Sequence, residues 1–96
     1  MFLNNHQWKI QFSDKSLKKI KKLDSPVQQR IFRFLDRLID NPNPRDLGEA
    51  LTGRLSEYWK YRTGDYRMIV KIEDNILTIM VLKVGHRKEV YTEYLQ

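Results

Sequence analysis

The sequence of 96 residues contains no cysteine, which excludes disulfide bonds and thiolate metal sites. It has only two histidines, His6 and His86. The longest nearly apolar run, Ile76 to Leu82, is far too short to cross a bilayer. Met1 to Trp8 show no basic region followed by an apolar stretch, so we expect no signal peptide. These absences favour a cytoplasmic protein with no membrane partner.

Acidic residues are in the minority, with 12 Asp and Glu against 18 Lys and Arg, which leaves a net charge of +6. Such a balance favours polyanionic partners through long-range attraction and counterion release. On charge alone, a nucleic acid, an acidic protein and a merely basic soluble domain all stay open. The hydrophobic fraction of 41% is that of an ordinary globular chain. The length suits one domain over residues 1–96.

The first part of the chain predicts a short strand followed by a helix. Apolar residues alternate with polar ones from Trp8 to Phe12, which is the period of a strand. Ser13 and Asp14 can then cap a helix that runs to about Leu23. Its outer face carries five lysines, which are Lys15, Lys18, Lys19, Lys21 and Lys22.

A second helix is predicted to follow with Ser25 as its N-cap. Pro26 suits the first helical position, and Gln28 is placed to complete a capping box. The apolar residues that recur at helical spacing are Val27, Ile31, Phe34, Leu35, Leu38 and Ile39. The prolines in residues 41–44 end this helix, so the two helices should form a hairpin.

From Arg54 the apolar period changes to two, which predicts an antiparallel meander of three strands. A turn at residues 63–65 separates the first strand from a second at Tyr66 to Ile72. The third, Ile76 to Val84, is nearly all apolar, as expected for a central strand. Residues 85–88 then break the pattern.

The predicted fold class is α+β, in the order strand, helix, helix, strand, strand, strand, with a short C-terminal tail. We expect the helical hairpin to pack on one face of the antiparallel sheet. The other face would carry Lys60, Arg62, Arg67 and Lys71, with cross-strand neighbours about 5 Å apart. Tyr58 adds an aromatic ring beside them. Cations interleaved with aromatic rings suit single-stranded nucleic acid.

The side chains near this patch limit its chemistry. Arg87 and Tyr91 follow the last strand and can close over the edge of the patch. We see no cluster of carboxylates suited to Mg²⁺ and no zinc-type ligand set nearby. This favours cleavage without a metal or other cofactor, in which the 2′-hydroxyl of an RNA attacks the adjacent phosphate. Arginine and lysine would lower the charge barrier, and lysine, tyrosine, histidine or arginine would move the protons.

Three elements in order resemble the signature of the RelE/ParE toxin superfamily. They are a leucine-glycine element at residues 51–55, a strand and glycine turn leading to a tyrosine-arginine pair at residues 58–67, and the ending at residues 84–91. The ending is similar to that of the RelE branch. The resemblance covers nearly the whole chain and implies the RelE-like β-α-α-β-β-β fold. It also implies a type II toxin–antitoxin toxin, an mRNA interferase that cleaves mRNA in the ribosomal A site without a metal.

Carried over residue by residue, the resemblance places the catalytic site on Lys60, Arg67, Arg87 and Tyr91. Arg67 and Lys60 would hold and stabilise the scissile phosphate. Arg87 would stabilise or protonate the leaving 5′-oxygen. Tyr91 would stack on a base and help to orient the 2′-hydroxyl or accept its proton.

Tyr58 departs from the pattern, because a lysine occurs there in some family members. This leaves the identity of the general base open, with Arg62 or His86 available to compensate. The residues expected to bind RNA around the catalytic set are Arg54, Tyr58, Arg62, Lys71, His86 and Lys88.

Structural roles for the same residues stay open at this point. Lys60 can be an ordinary solvated side chain, Arg67 can pair with Asp65 or Glu57, and His86 can be a turn residue. Two other functions are also open: a ParE-like inhibitor of DNA gyrase, and a non-catalytic toxin homologue. The resemblance implies three partners, which are mRNA on the ribosome, ribosomal RNA and a cognate antitoxin with an acidic wrapping segment.

Overall fold

A computed structural model describes residues 8–94, with the backbone alone for residues 91–94. The strands are β1 (Lys9–Phe12), β2 (Glu49–Ala50), β3 (Tyr58–Thr63), β4 (Tyr66–Glu73) and β5 (Thr78–His86). They form one sheet in the order β1-β5-β4-β3-β2. β1 runs parallel to β5, and the other neighbours are antiparallel. The predicted meander of β3, β4 and β5 is confirmed.

The helices are α1 (Asp14–Lys21), α2 (Ser25–Asp40) and α3 (Arg87–Tyr94). Short 3₁₀ turns lie at Pro44–Leu47, Gly53–Leu55 and Asp74–Ile76. The predicted hairpin of α1 and α2 between the first strand and the meander is confirmed. Within residues 8–94, no helix combines the length and the apolar character needed to cross a membrane.

Two serines fix α1 to the central strand β5. Ser13 is the N-cap, as predicted, and its Oγ accepts a hydrogen bond from the Ser16 N–H at 3.1 Å. The Ser16 hydroxyl donates to Val81 O at 2.9 Å, and the Ser13 hydroxyl donates to Leu82 O at 3.1 Å. These bonds leave α1 with a defined position against β5.

The predicted start of α2 is wrong by one residue, and its capping box does not form. Asp24 is the N-cap, and Ser25 is already helical. The side-chain nitrogen Nε2 of Gln28 instead donates to Ile20 O at 2.7 Å. The tight turn between the helices brings Gln28 to Ile20 O at the end of α1, which also accepts the Leu23 N–H at 3.1 Å.

The main core lies between the helical hairpin and one face of the sheet. Fully buried residues of this core include Ile31 and Leu38 from α2 and Tyr61, Met68 and Val81 from the sheet. β3, β4 and β5 therefore direct one set of alternating side chains to the helices, as expected for a two-layer domain.

The opposite face of the sheet is not purely polar, and the predicted C-terminal tail contains the helix α3 at Arg87–Tyr94. Leu51, Ile69 and Val90 form a second buried apolar cluster, against which Leu55 and Tyr58 pack. Ile69 points away from the helical hairpin because its neighbours in β4 point toward it. α3 supplies Val90 to cover it, so the segment after β5 folds as a helix.

Two local features shift the strands from their predicted positions. β2 was not predicted, and residues 53–55 form a 3₁₀ turn where the first strand of the meander was expected to begin. In the β4–β5 pairing, Ile69 opposes Lys83 whereas Val70 opposes Val81, so Leu82 is an extra residue. This β-bulge changes the alternation along β5. β5 also continues through Gly85 and His86, which were predicted to break the strand.

Candidate functional site

Cations converge where β3, β4 and β5 meet α3. Arg62 and Arg67 are directly opposite each other across the β3–β4 pair. Lys60 lies two residues before Arg62 and therefore on the same face. The intervening turn contains Gly64 at a φ of 62°, a conformation that glycine adopts without a steric penalty. We call Lys60, Arg62, Arg67 and Arg87 the cation site.

Arg67 is the most constrained member of the cation site. Its side chain is half-buried, and Nη1 donates to Gly64 O at 2.9 Å and to Tyr66 O at 3.0 Å. Burial lowers the pKa of the Arg67 guanidinium, and repulsion from Arg62 and Arg87 lowers it further. An arginine remains charged in proteins, so Arg67 carries its charge half-buried and near the charges of Arg62 and Arg87.

Arg87 joins the site because its backbone is tied to the β3–β4 turn. The Arg87 N–H donates to Asp65 O at 2.7 Å. Arg87 is the first residue of α3, and its side chain is exposed. Gly85, two residues earlier, is the register partner of Arg67. The strand end and the helix start therefore bring Arg87 close to Arg67, and the charge of Arg87 lowers the pKa of the Arg67 guanidinium.

A carboxylate that the sequence analysis did not include also reaches this site. Glu49 lies opposite Lys60 in the β2–β3 pair, and its Oε1 is 3.3 Å from Lys60 Nζ. Its charge also raises the pKa of Arg67, against the larger lowering effects. Glu49 lies in a two-residue strand, which is too short to show a period in the sequence. An open cleft at this edge is lined by Glu49, Lys60 and Arg62, among others.

Two of the predicted RNA-binding residues have other contacts. Lys71 lies four residues from Arg67 along β4, about 13 Å away. It pairs with Glu57 at 3.4 Å and with Glu73 at 3.5 Å, and these carboxylates raise its pKa, Glu73 most of all. Tyr58 is half-buried against the second apolar cluster. The structure therefore separates Lys71 from the cation site and gives Tyr58 a packing role.

His86 lies beside the cation site without sharing its face of the sheet. Its register partner is Tyr66, which neighbours Arg67 in β4 and so points to the opposite face. The two rings meet edge to face with centroids 5.7 Å apart. His86 Nδ1 accepts a hydrogen bond from the Lys88 N–H at 3.2 Å. This geometry agrees with the turn role rather than with a compensating base.

The remaining predicted residues lie on the Gly53–Leu55 turn and on α3. Arg54 is exposed on the Gly53–Leu55 turn, and Lys88 is exposed in the first turn of α3. Tyr91 belongs to α3, but its side chain lies outside the described part of the structure. The sequence-based alternative for Arg67 can also be resolved. Its guanidinium donates to backbone carbonyls, and Glu57 pairs with Lys71 instead. Asp65 does act on Arg67, because its charge raises the pKa of the guanidinium, against the larger lowering effects.

The arrangement is suited to binding a phosphate group. Three guanidinium groups and one ammonium group lie at one end of the sheet, and Asp65 and Glu49 are carboxylates close enough to act on Arg67. Such preorganised cations stabilise negative charge that develops on phosphate oxygens. In the described part of the chain, no group of three His, Asp or Glu side chains is arranged to hold a metal ion.

Comparisons with known proteins agree on one family. Residues 10–91 match the family model described as the ParE toxin of type II toxin-antitoxin systems, parDE. The chain is 30% identical over 87 residues to the mRNA interferase toxin RelE of Escherichia coli strain K12, covering 88% of this chain and 90% of that protein. It is 33% identical over 48 residues to Toxin RelG of Mycobacterium tuberculosis, covering 50% and 55% of the two chains.

Solved structures share the fold. The isolated E. coli RelE toxin superposes with a TM-score of 0.70 at 26% identity, covering 90% of this chain and 93% of that one. A chain of the M. tuberculosis toxin–antitoxin complex RelBE2 gives a TM-score of 0.75 at 24% identity, covering 84% and 92%. The family model and the RelE relative each span most of the chain, and the chain therefore belongs to the RelE/ParE superfamily of toxins from type II toxin–antitoxin systems.

Proposed function

We propose that this toxin is a ribosome-dependent, metal-independent endoribonuclease that cleaves mRNA in the ribosomal A site. The observation that carries the proposal is the cation site itself. Arg67 is held between Arg62 and Arg87 in spite of their mutual repulsion. A phosphodiester bound there would replace this repulsion with attraction. The relative named mRNA interferase toxin RelE supports the same activity.

The proposed reaction uses the RNA as its own nucleophile. The 2′-hydroxyl gives up its proton, and its oxygen forms a bond to phosphorus while the bond from phosphorus to the 5′-oxygen breaks. The leaving 5′-oxygen takes up a proton, which leaves a 2′,3′-cyclic phosphate and a 5′-hydroxyl. Arg67 and Lys60 would stabilise the additional negative charge on the phosphate oxygens in the transition state. Arg87, exposed at the start of α3, would stabilise the leaving 5′-oxygen. We assign base stacking to Tyr91 on the family resemblance.

The ribosome has a defined role in this proposal. Lys60 and Arg67 can attract a phosphate, but the cation site is open and gives an RNA strand few restraints. Holding the attacking oxygen in line with the leaving group can account for several kcal/mol of the barrier, on the order of 7–11 in model reactions. We propose that the ribosome supplies this alignment by fixing the codon.

We also propose that a cognate antitoxin neutralises this toxin. RelE chains have been solved with antitoxin partners in the RelBE complex of E. coli and in the RelE–RelB complex of Pyrococcus horikoshii. An acidic antitoxin segment would complement a chain with a net charge of +6.

The decisive experiment compares programmed ribosomes with naked mRNA. We expect single-turnover cleavage on ribosomes and negligible cleavage of the free mRNA at physiological salt. When a phosphorothioate replaces the scissile phosphate, the cleavage rate should be the same in Mn²⁺ as in Mg²⁺. The variant Arg33→Ala removes an exposed arginine on α2 and should cleave mRNA like the parent. Efficient cleavage of free mRNA, or rescue by Mn²⁺, would contradict the proposal.

A second candidate is inhibition of DNA gyrase. The description of the matching family model names the ParE toxin, and this is the reason to test gyrase inhibition. Cells expressing the chain should show new mRNA 5′ ends under the nuclease proposal and gyrase-linked DNA breaks under the alternative. DNA breaks without mRNA cleavage would establish the ParE-like function instead.

A further inference from the structure

The junction between β5 and α3 is unusually close-packed at Gly85. A Cβ atom at Gly85 would lie 3.2 Å from Val90 Cγ2 and 3.3 Å from Glu89 Oε1. Since Gly85 is the register partner of Arg67, the first turn of α3 lies directly over the strand position next to Arg67. A small movement of this turn would therefore change the spacing within the cation site.

The first turn of α3 is closed by a reciprocal pair of hydrogen bonds. His86, the residue before the helix, accepts the Lys88 N–H on its Nδ1 at 3.2 Å. In return, Glu89 Oε1 accepts the His86 N–H at 3.0 Å. This is the arrangement of a capping box, with histidine in the place usually taken by serine or threonine. Glu89 is thus the residue that closes the turn carrying Arg87.

Glu89 also connects α3 to another element. Lys19 Nζ of α1 lies 3.1 Å from Glu89 Oε2 and 3.3 Å from Oε1. α1 itself is fixed on β5 through Ser13 and Ser16. The contact with Lys19, followed by that with the His86 N–H, lowers the pKa of the Glu89 carboxyl. One carboxylate therefore connects the helix start to two fixed parts of the fold.

We propose that Glu89 is a positioning residue, which holds the first turn of α3 so that Arg87 stays beside Arg67. Repulsion between the two arginines acts to separate them, and the N–H bond from Arg87 to Asp65 O restrains only one side of the turn. Glu89 restrains the other side. The catalytic consequence rests on the proposed nuclease function, because it requires Arg87 to act on the leaving group.

A positioning role differs in its effects from a stabilising role. The Lys19–Glu89 pair is exposed, with side-chain exposures of 35% and 50%, and exposed ion pairs contribute little to the stability of the whole domain. Displacing Arg87 by a fraction of an ångström would instead weaken a contact made in the transition state. The turnover rate would then fall while ground-state binding stays nearly constant.

The test compares Glu89→Ala and Glu89→Gln with Asp74→Asn. The control removes the charge of another exposed carboxylate, which binds Arg45 through two contacts of 2.7 and 3.0 Å on a different turn. Hydrogen exchange of the His86 amide and the ¹⁵N signal of the Arg67 guanidinium report the position of the turn. Steady-state cleavage on programmed ribosomes reports kcat and KM separately.

For Glu89→Ala we expect faster exchange at His86, a shifted Arg67 signal, and a kcat about tenfold lower with KM within about twofold. Glu89→Gln keeps an oxygen acceptor for the His86 N–H, so its effects should be smaller. Asp74→Asn should match the parent in all readouts. If Glu89→Ala does not fold, Glu89→Gln alone carries the same comparison.

An unchanged His86 exchange rate and Arg67 signal would overturn the inference, as would a parental kcat in a variant whose turn has loosened. If the parent itself cuts no mRNA, the nuclease proposal fails, and the exchange and ¹⁵N signals decide the positioning role by themselves. A shifted signal in that case supports the placement of Arg87 by Glu89.

Discussion

Replacing Arg67 with alanine should separate catalysis from folding. The side chain donates to Gly64 O at 2.9 Å and to Tyr66 O at 3.0 Å, and each such bond contributes on the order of 1 kcal/mol to stability. Removing the guanidinium also removes its repulsion with Arg62 and Arg87, which acts in the opposite direction. We therefore expect the free energy of unfolding to change by about 1 kcal/mol or less.

The effect of the same change on cleavage should be much larger. The lost guanidinium is held in place by backbone carbonyls before substrate binds, so it needs little reorganisation to meet the developing charge. Removing one preorganised donor of this kind costs on the order of 100-fold or more in rate, about 2.7 kcal/mol or more of barrier. Arg67→Lys should recover only part of this loss, because an ammonium lacks the planar array of N–H donors with which a guanidinium meets a phosphate.

The assay combines thermal melting with single-turnover cleavage on programmed ribosomes. Arg33→Ala on the outer face of α2 serves as the control for losing an exposed arginine. If Arg67→Ala melts like the parent and still cuts mRNA at close to the parental rate, the assigned site is wrong. If its loss of cleavage follows a loss of folded protein, Arg67 has a structural role and the catalytic assignment also fails.

Three further predictions follow from the packing. Gly85→Ala should force α3 to move by a few tenths of an ångström, which should lower the single-turnover rate by about tenfold and cost about 1–3 kcal/mol of stability in denaturant titrations. Glu89 has its pKa lowered by Lys19, so its stabilising effect should be present above the pKa of the unfolded chain and be lost as pH falls through the folded value. The melting temperatures of the parent and Glu89→Gln should therefore converge in acid, and a constant difference would contradict this. Tyr61→Phe leaves the buried carbonyl of Pro44 without its 2.7 Å donor and should cost about 1–3 kcal/mol in denaturant titrations, while cleavage per folded molecule stays unchanged.

His86 and Arg87 both belong to the turn that the capping box of α3 closes. His86 was a candidate base, but its Nδ1 closes the first turn of α3, and its register places it with Tyr66. The same turn presents Arg87 to Arg67. The charged C-terminal segment 86–89 thus combines one residue proposed for chemistry with two that fix its place.

Local sequence patterns were sufficient for most of the architecture. A period of 3.6 identifies α1 and α2, and a period of two identifies β3 and β4, because each reflects which side chains share a face of one element. The same reasoning placed Lys60, Arg62 and Arg67 on a common face, since neighbouring antiparallel strands align faces as well as backbones. The register Arg62–Arg67 confirms that placement.

Contacts between distant segments were decided by the tertiary structure alone. β2 has only two residues and brings Glu49 to Lys60 by pairing with β3, which no local period predicts. The bulge at Leu82 changes the alternation of β5, and α3 forms where an apolar residue of β4, Ile69, needs a cover. A periodic pattern records the environment of one element at a time, whereas register, bulges and packing partners depend on the free energy of the whole chain. For that reason the sequence by itself identified the cations of this site, and only the tertiary structure decided which of them meet.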